Sequence, residues 1–279
     1  MLDIIKDGVI DLLKLLPYLF ITFLILEFIE HKLSSKNQKI LANNKNIGPI
    51  VGGILGAFPQ CGFSSMASSL FSARVITMGT LIAVFLSTSD EMLPIMISEQ
   101  VSILVILKII LFKIIIGVLI GFIVDMFYRK KDNNKINELC EHDHCDCEND
   151  GIILSSLKHT IKIGLFILII NLILNFIIFK IGDNNLEKLL LNKNIFTYFI
   201  SSFIGLMPNC AGSVIITELY LKNLISIGIM LSGLLTGSGL GILLLFKTNK
   251  NIKENLLILT IIYFIGAFVG LLYDLIYIF

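Results

Sequence analysis

The sequence predicts an all-α integral membrane protein of two inverted-topology repeats, each of about five helical segments, with broken or re-entrant half-helices meeting at mid-membrane. Three observations predict it. Apolar runs of bilayer length recur along the chain, the second half repeats the first at a fixed offset, and the basic residues divide unevenly between the loops.

Of the 279 residues 56% are hydrophobic and only 15% charged, and the mean hydropathy is +0.89, outside the range of soluble domains. Apolar runs lie at roughly 12–28, 48–72, 75–97, 103–127, 161–179, 195–221, 224–246 and 256–279, most of about 20 residues, the length that crosses a bilayer. Ile, Leu and Phe occupy every face of these runs, which fits helices and not the alternating strands of a barrel. The N-terminal segment carries Asp3, Asp7 and Asp11 and lacks the basic start and small-residue cleavage site of a signal peptide, so the first helix is expected to be retained. The formal charge is +1 with no single basic face, so nucleic acid is not an expected partner.

An offset of 149 residues lays Gly56 to Ser64 (GAFPQCGFS) on Gly205 to Ser213 (GLMPNCAGS) without a gap, and brings Gly79 onto Gly228, Ser89 onto Ser238, Gly117 onto Gly266, Gly121 onto Gly270 and Asp125 onto Asp274. Coincident Pro, Cys, Gly and Asp carry the argument, since Ile and Leu match by chance in any two apolar helices. The expected units are residues 1–128, a linker at 129–158, and 159–279.

In each half, Pro and small polar residues interrupt a hydrophobic stretch, at Pro59-Gln60-Cys61-Gly62 and at Pro208-Asn209-Cys210-Ala211-Gly212. Proline ends a helix, leaving pieces of about 11 residues, too short to cross alone. They form either a kinked span or a re-entrant hairpin, and loop charge chooses between the two. With every run crossing once, the basic residues outside the spans fall ten to each side. With hairpins, fourteen collect on one side, among them Arg74, Arg129, Lys130, Lys131 and Lys250, against six on the other. Basic loops favour the cytoplasm, which selects hairpins, an inverted second half and both termini outside. Lys108 and Lys113 lie within a span and enter neither count.

Inverted repeats with discontinuous helices place their binding site at mid-membrane. The residues expected there are Gln60, Cys61 and Ser64 in the first turn and Asn209, Cys210 and Ser213 in its mate. Half-helix N-termini beside them suit an anion or a thiolate. A second polar cluster, Ser87-Thr88-Ser89-Asp90-Glu91, interrupts the third run, with Ser238 at the mate of Ser89. A carboxylate at the centre of a spanning helix costs roughly 2.5 to 3.5 kcal/mol by insertion scales, so Asp90 and Glu91 are read as functional. Structural readings stand beside these: Cys61 and Cys210 as small buried hydrophobes, the acids as caps in an aqueous vestibule, Asp125 and Asp274 as structural groups near span ends, and Glu218 with Lys222 as a surface ion pair.

Between the halves, LCEHDHCDCEND packs Cys140, His142, His144, Cys145 and Cys147 into eight residues. Thiolate and imidazole are ligands for zinc, copper and softer ions, although the spacing is not that of a zinc finger. On the basic side this loop meets a reducing compartment, and a capture or sensing role is expected. A disordered acidic linker is the alternative.

GAFPQCGFS, STSDEMLP, GLMPNCAGS and the His/Cys-rich loop together resemble the ten-segment heavy-metal exporter family, variously described as arsenic efflux proteins or manganese transporters. Scoring each hairpin arm separately gives five segments per half. The resemblance implies export of a metal or metalloid across the cytoplasmic membrane, with no resident cofactor beyond a transition-metal ion as substrate or on the loop. Manganese would use the oxygens of Asp90, Glu91, Gln60 and Asn209, and trivalent arsenic the two thiols. The acids incline the expectation to a divalent transition metal. No G-x-x-x-x-G-K-[ST] loop is present, so a coupling proton or another ion gradient is expected. An intramembrane enzyme is disfavoured because the spans hold no His as base. A permease for a small organic or oxyanion substrate, drawn by half-helix N-termini, is the alternative.

Overall fold

The structure is a computed structural model; it describes residues 47–58, 61–89, 92–128, 194–208 and 210–278, with scattered positions within 16–24 and 153–169 and at 190. Among these are ten bounded helices and no strand: α1 Gly48–Gly56, α2 Cys61–Ser72, α3 Met78–Ser87, α4 Met92–Ser98, α5 Ile103–Phe127, α6 Ile195–Gly205, α7 Cys210–Leu221, α8 Ile227–Thr236, α9 Gly241–Thr248 and α10 Ile252–Ile278. The starts of α2 and α7, α3 and α8, α4 and α9, and α5 and α10 are each separated by 149 residues.

The solvent logic is that of a membrane protein. Ile103, Leu107, Leu111, Ile115, Leu119 and Ile123 form an exposed apolar stripe on α5, while Ser64, Ser68, Ser87, Thr88, Ser232 and Thr236 are buried. That distribution is the reverse of a water-soluble domain. Among the described residues four stretches are long and apolar enough to cross a bilayer: Met78–Ser98, Ile103–Phe127, Ile227–Thr248 and Ile252–Ile276. The 25 residues of α5 reach about 37 Å at 1.5 Å per residue, enough for a core of about 30 Å. By contrast α3 and α4, with 10 and 7 residues, cross only as a pair.

Small residues set the packing and the direction of each helix. Gly48 lies against Thr80, Gly52 against Thr80 and Val84, and Gly56 against Val84 and Ser87, so α1 and α3 run side by side in the same direction. Gly121 meets Gly79 and Gly117 meets Ala83, so α5 runs antiparallel to α3. The second half repeats this. Ser201 donates to Ile229 O at 2.7 Å, Ser202 to Ser232 O at 3.1 Å, and the Thr236 hydroxyl to Ser202 O at 2.9 Å, aligning α6 with α8. Gly270 against Gly228, and Gly266 against Ser232, set α10 antiparallel.

The halves also interlock. Ser68 donates to Gly241 O at 2.7 Å and Ser72 shares a 2.6 Å hydrogen bond with Thr248, so α2 of the first half runs parallel to α9 of the second. Met92 and Met96 of α4 pack in one cluster with Ile216 and Leu219 of α7. Arg74 and Asn223, again 149 apart, both take left-handed backbone after α2 and α7. Arg74 forms a 2.9 Å ion pair with Glu254 at the start of α10.

Asp125 and Asp274 act as the structural groups the sequence suggests. The Asp125 carboxylate accepts Thr77 Oγ1–H at 2.6 Å and Gly79 N–H at 2.8 Å, while Thr77 Oγ1 accepts Thr80 N–H at 3.1 Å. Asp274 accepts Gly228 N–H at 2.9 Å, Tyr198 O–H at 2.8 Å and the Ser226 hydroxyl. Each carboxylate satisfies the open amides at the start of a neighbouring helix. Asp274→Ala is expected to lower stability by about 2 kcal/mol, read as a drop in thermal midpoint in detergent; an unchanged midpoint would count against this capping role.

Candidate functional site

The site is built from helix ends. α3 stops at Ser87 and α4 starts at Met92; α8 stops at Thr236 and α9 starts at Gly241. The turn between α8 and α9 carries Gly239 at φ 52°, a left-handed conformation that favours glycine. The end of α1 reaches the same level, because a Cβ on Gly56 would lie 2.2 Å from Ser87 Oγ. So does the end of α6, since a Cβ on Gly205 would lie 2.0 Å from Gly233 O. The start of α9 closes the group, with the Gly241 position touching Phe85 and Ser64.

Lys113 joins the two halves here. It is fully buried (0% exposed), and its Nζ donates to Leu234 O on α8 at 2.8 Å and to Thr88 O at the end of α3. Ten residues into α5, about 15 Å along its axis, it lies near the middle of a helix long enough to cross a bilayer core of about 30 Å. A lysine at that depth costs about 2.5 to 3.5 kcal/mol on insertion scales. Its place is therefore a functional or structural necessity and not a filler. The sequence reading set it aside as one of two lysines in a span. The signal was its register: Lys113 lies four residues before Gly117 and eight before Gly121, on the buried stripe of α5, whereas Lys108 points outward.

Ser64, Ser87, Thr88, Ser89 and Ser238 are all buried. Ser87 donates to Ala83 O at 2.8 Å and Val84 O at 3.0 Å, Thr88 to Val84 O at 2.7 Å, and Ser89 to Ser87 O at 3.2 Å. A hydroxyl that gives its hydrogen to its own helix keeps only oxygen lone pairs to offer, which suits a cation or a donor ligand. Ser238 differs: its Oγ is buried with no hydrogen-bond partner among the described residues, as are those of Ser65 and Ser69 on α2, which the sequence reading did not single out. Such orphans cost about 1 to 3 kcal/mol each unless a ligand or water satisfies them. Ser213 is half-buried on α7, its carbonyl accepting Thr217 Oγ1–H at 2.7 Å.

Gln60, Asp90, Glu91 and Asn209 lie outside the described residues, as does the segment holding Cys140, His142, His144, Cys145 and Cys147. Cys61 and Cys210 begin α2 and α7, and their side chains lie outside the description too. Among the described residues, no three of His, Cys, Asp and Glu gather as a metal site. Glu218 and Lys222 form the exposed ion pair expected, at 3.3 Å. In sequence the mates of Asp90, Glu91 and Lys113 are Gly239, Leu240 and Ile262, so the second half carries no charge at these three positions.

The described ends of α1, α3, α6, α8 and α9 thus meet around a buried ammonium and a set of hydroxyls. No curated protein and no solved structure matches the chain. A family model described as "Putative, 10TM heavy-metal exporter" matches residues 3–181 and again residues 148–277. Together these matches span nearly the whole chain, and the protein, a multi-pass membrane protein, belongs to that heavy-metal exporter family.

Proposed function

We propose that the chain is a secondary exporter that carries a divalent transition metal, manganese first, from the cytoplasm across the cytoplasmic membrane through a site at the junction of its two halves. The observation that carries the reading is the pair of spans broken at equivalent positions, Ser87 to Met92 and Thr236 to Gly241, whose ends share the Lys113 ammonium. Such ends, unwound in mid-membrane, are where secondary transporters bind substrate and coupling ion.

Opposed repeats, residues 1–128 and 159–279 about a linker at 129–158, are part of this reading. The Arg74–Glu254 ion pair supports them. It joins the segment after α2 to the start of α10, as expected of two segments on the same side of the membrane. A serpentine chain crossing once per hydrophobic run would put those two residues on opposite sides. The parallel directions of α1 with α3 and of α2 with α9 support it further, as expected of a re-entrant α1–α2 hairpin that returns the chain to the side it entered from.

Asp90 and Glu91 supply two negative charges, which a divalent ion balances with help from the oxygens of Gln60, Asn209, Ser87, Ser89 and Ser238, while the Lys113 ammonium is held by the carbonyls of Thr88 and Leu234. Protons take its place on the acids after release, which couples export to the proton gradient. Cys61 and Cys210 offer trivalent arsenic its preferred thiols. The Cys140 to Cys147 loop collects metal on the cytoplasmic face. A second reading, a permease for a small organic or oxyanion substrate, is favoured by one observation: a fixed ammonium in mid-membrane attracts anions.

Everted membrane vesicles energised with a proton gradient test the reading. Manganese uptake that collapses with a protonophore is expected, and replacing the five loop ligands should leave uptake in place while lowering metal bound at rest. Uptake of a small carboxylate or an oxyanion with none of manganese would replace this reading by the permease.

A further inference from the structure

A helix that stops inside a bilayer leaves its last carbonyls without amide donors. At the end of α8, Gly237 N–H returns to Gly233 O and Ser238 N–H turns to Thr236 O, so among the described residues no backbone amide beyond the helix turns to Leu234 O. Lys113 Nζ donates to it, at 2.8 Å, and the same ammonium serves Thr88 O, the cap carbonyl of α3. These two acceptors come from different halves of the chain. Both sit at C-terminal helix ends, where the aligned peptide dipoles concentrate partial negative charge. Carbonyls at the ends of broken spans are the groups that coordinate sodium or a proton carrier in transporters of this architecture.

We infer that the gap between the C-terminal ends of α3 and α8 is a monovalent-cation site that the chain fills with its own Lys113 ammonium. The site is permanently occupied, so neither the folded state nor transport draws on external sodium, and the tethered charge binds the two halves together at mid-membrane. Full burial separates Lys113 from Lys108 on the same helix, which is exposed and free to reach the membrane surface. The scaffold needs one such cation only: Ile262, the mate of Lys113, is buried and apolar. The inference rests on reading α3 and α8 as halves of spans broken in mid-membrane; it does not depend on which substrate is carried.

The test uses the purified full-length protein in detergent, with no substrate, so its result is separate from any failure of metal uptake in vesicles. Thermal unfolding is followed in choline, sodium and methylammonium chloride at equal ionic strength. Wild type should unfold at one temperature in all three. Lys113→Ala should unfold on the order of 5 to 10 °C lower in choline and regain at least half of that in methylammonium or sodium, as the free cation enters the vacated cage. Lys113→Met, which fills the space with an apolar chain, should fall and regain nothing. Should Lys113→Ala be too unstable to isolate in choline, purification in methylammonium followed by aggregation on its removal supports the inference. A sodium-dependent gain in wild type overturns it. So does a Lys113→Ala midpoint that ignores the salt, an equal regain in Lys113→Met, or failure to isolate Lys113→Ala in all three salts, methylammonium included.

Discussion

Gly205→Ala is expected to lose about 3 kcal/mol or more of stability and to yield little monodisperse protein. The added Cβ would stand 2.0 Å from Gly233 O and 2.3 Å from Thr236 Oγ1. The first of these is backbone, which cannot swing aside as a long side chain would, so α6 and α8 must separate. Separation strains the hydrogen bonds from Ser202 to Ser232 O and from Thr236 to Ser202 O along the same seam. Overpacking alone costs about 1 to 3 kcal/mol, and the strained hydrogen bonds add to it. Gly237→Ala is the control: its nearest foreign atom would be 3.5 Å away, an ordinary contact, so a change within about 0.5 kcal/mol is expected. Thermal unfolding of the two variants side by side measures the difference. Equal midpoints would mean that the seam between α6 and α8 is not closely packed.

The second large effect concerns activity. Asp90→Asn with Glu91→Gln removes both negative charges assigned to the junction, and manganese transport is expected to fall about 100-fold, the equivalent of about 2.7 kcal/mol. Stability should move the other way or not at all, because amides are cheaper than carboxylates in a membrane interior. That opposition separates a binding role from a structural one. Flux in proteoliposomes and thermal midpoint are measured on the same preparation, and parallel loss of both would reassign the acids to capping or packing.

Much of this was legible in the residues themselves. The 149-residue repeat anticipated that Cys61 and Cys210 open equivalent helices, because proline directly before a turn forces a break in both copies. The polar run at Ser87 to Glu91 and its mate at Thr236 to Gly239 anticipated where α3 and α8 stop. Buried serines followed from the same patterns, since a hydroxyl in an apolar run is either a helix back-bonder or a ligand. The cross-half contact of α2 with α9 was not legible. Ser64, Ser68 and Ser72 recur at intervals of four and mark a face of α2, yet spacing identifies a face and not its partner. Lys113 was missed for a related reason. Counting charges by loop treats an intramembrane lysine as noise, whereas its alignment with Gly117 and Gly121 placed it on the inward face. The roles of Asp125 and Asp274 were sensed from their positions, but the Thr77 and Ser226 caps that they support depend on tertiary proximity across 46 to 48 residues.

The most direct test of the central claim is the element content of cells by mass spectrometry after loading with manganese or with trivalent arsenic, at matched expression. The cells carry an empty vector, the wild type, the Asp90→Asn with Glu91→Gln variant, or Cys61→Ser with Cys210→Ser. The account predicts that wild type lowers manganese relative to the empty vector, that the thiol variant does the same, and that the acid variant leaves manganese at the vector level. A fall in arsenic lost only in the thiol variant would move the substrate to the metalloid, and wild-type cells indistinguishable from vector cells for every element would contradict metal export itself.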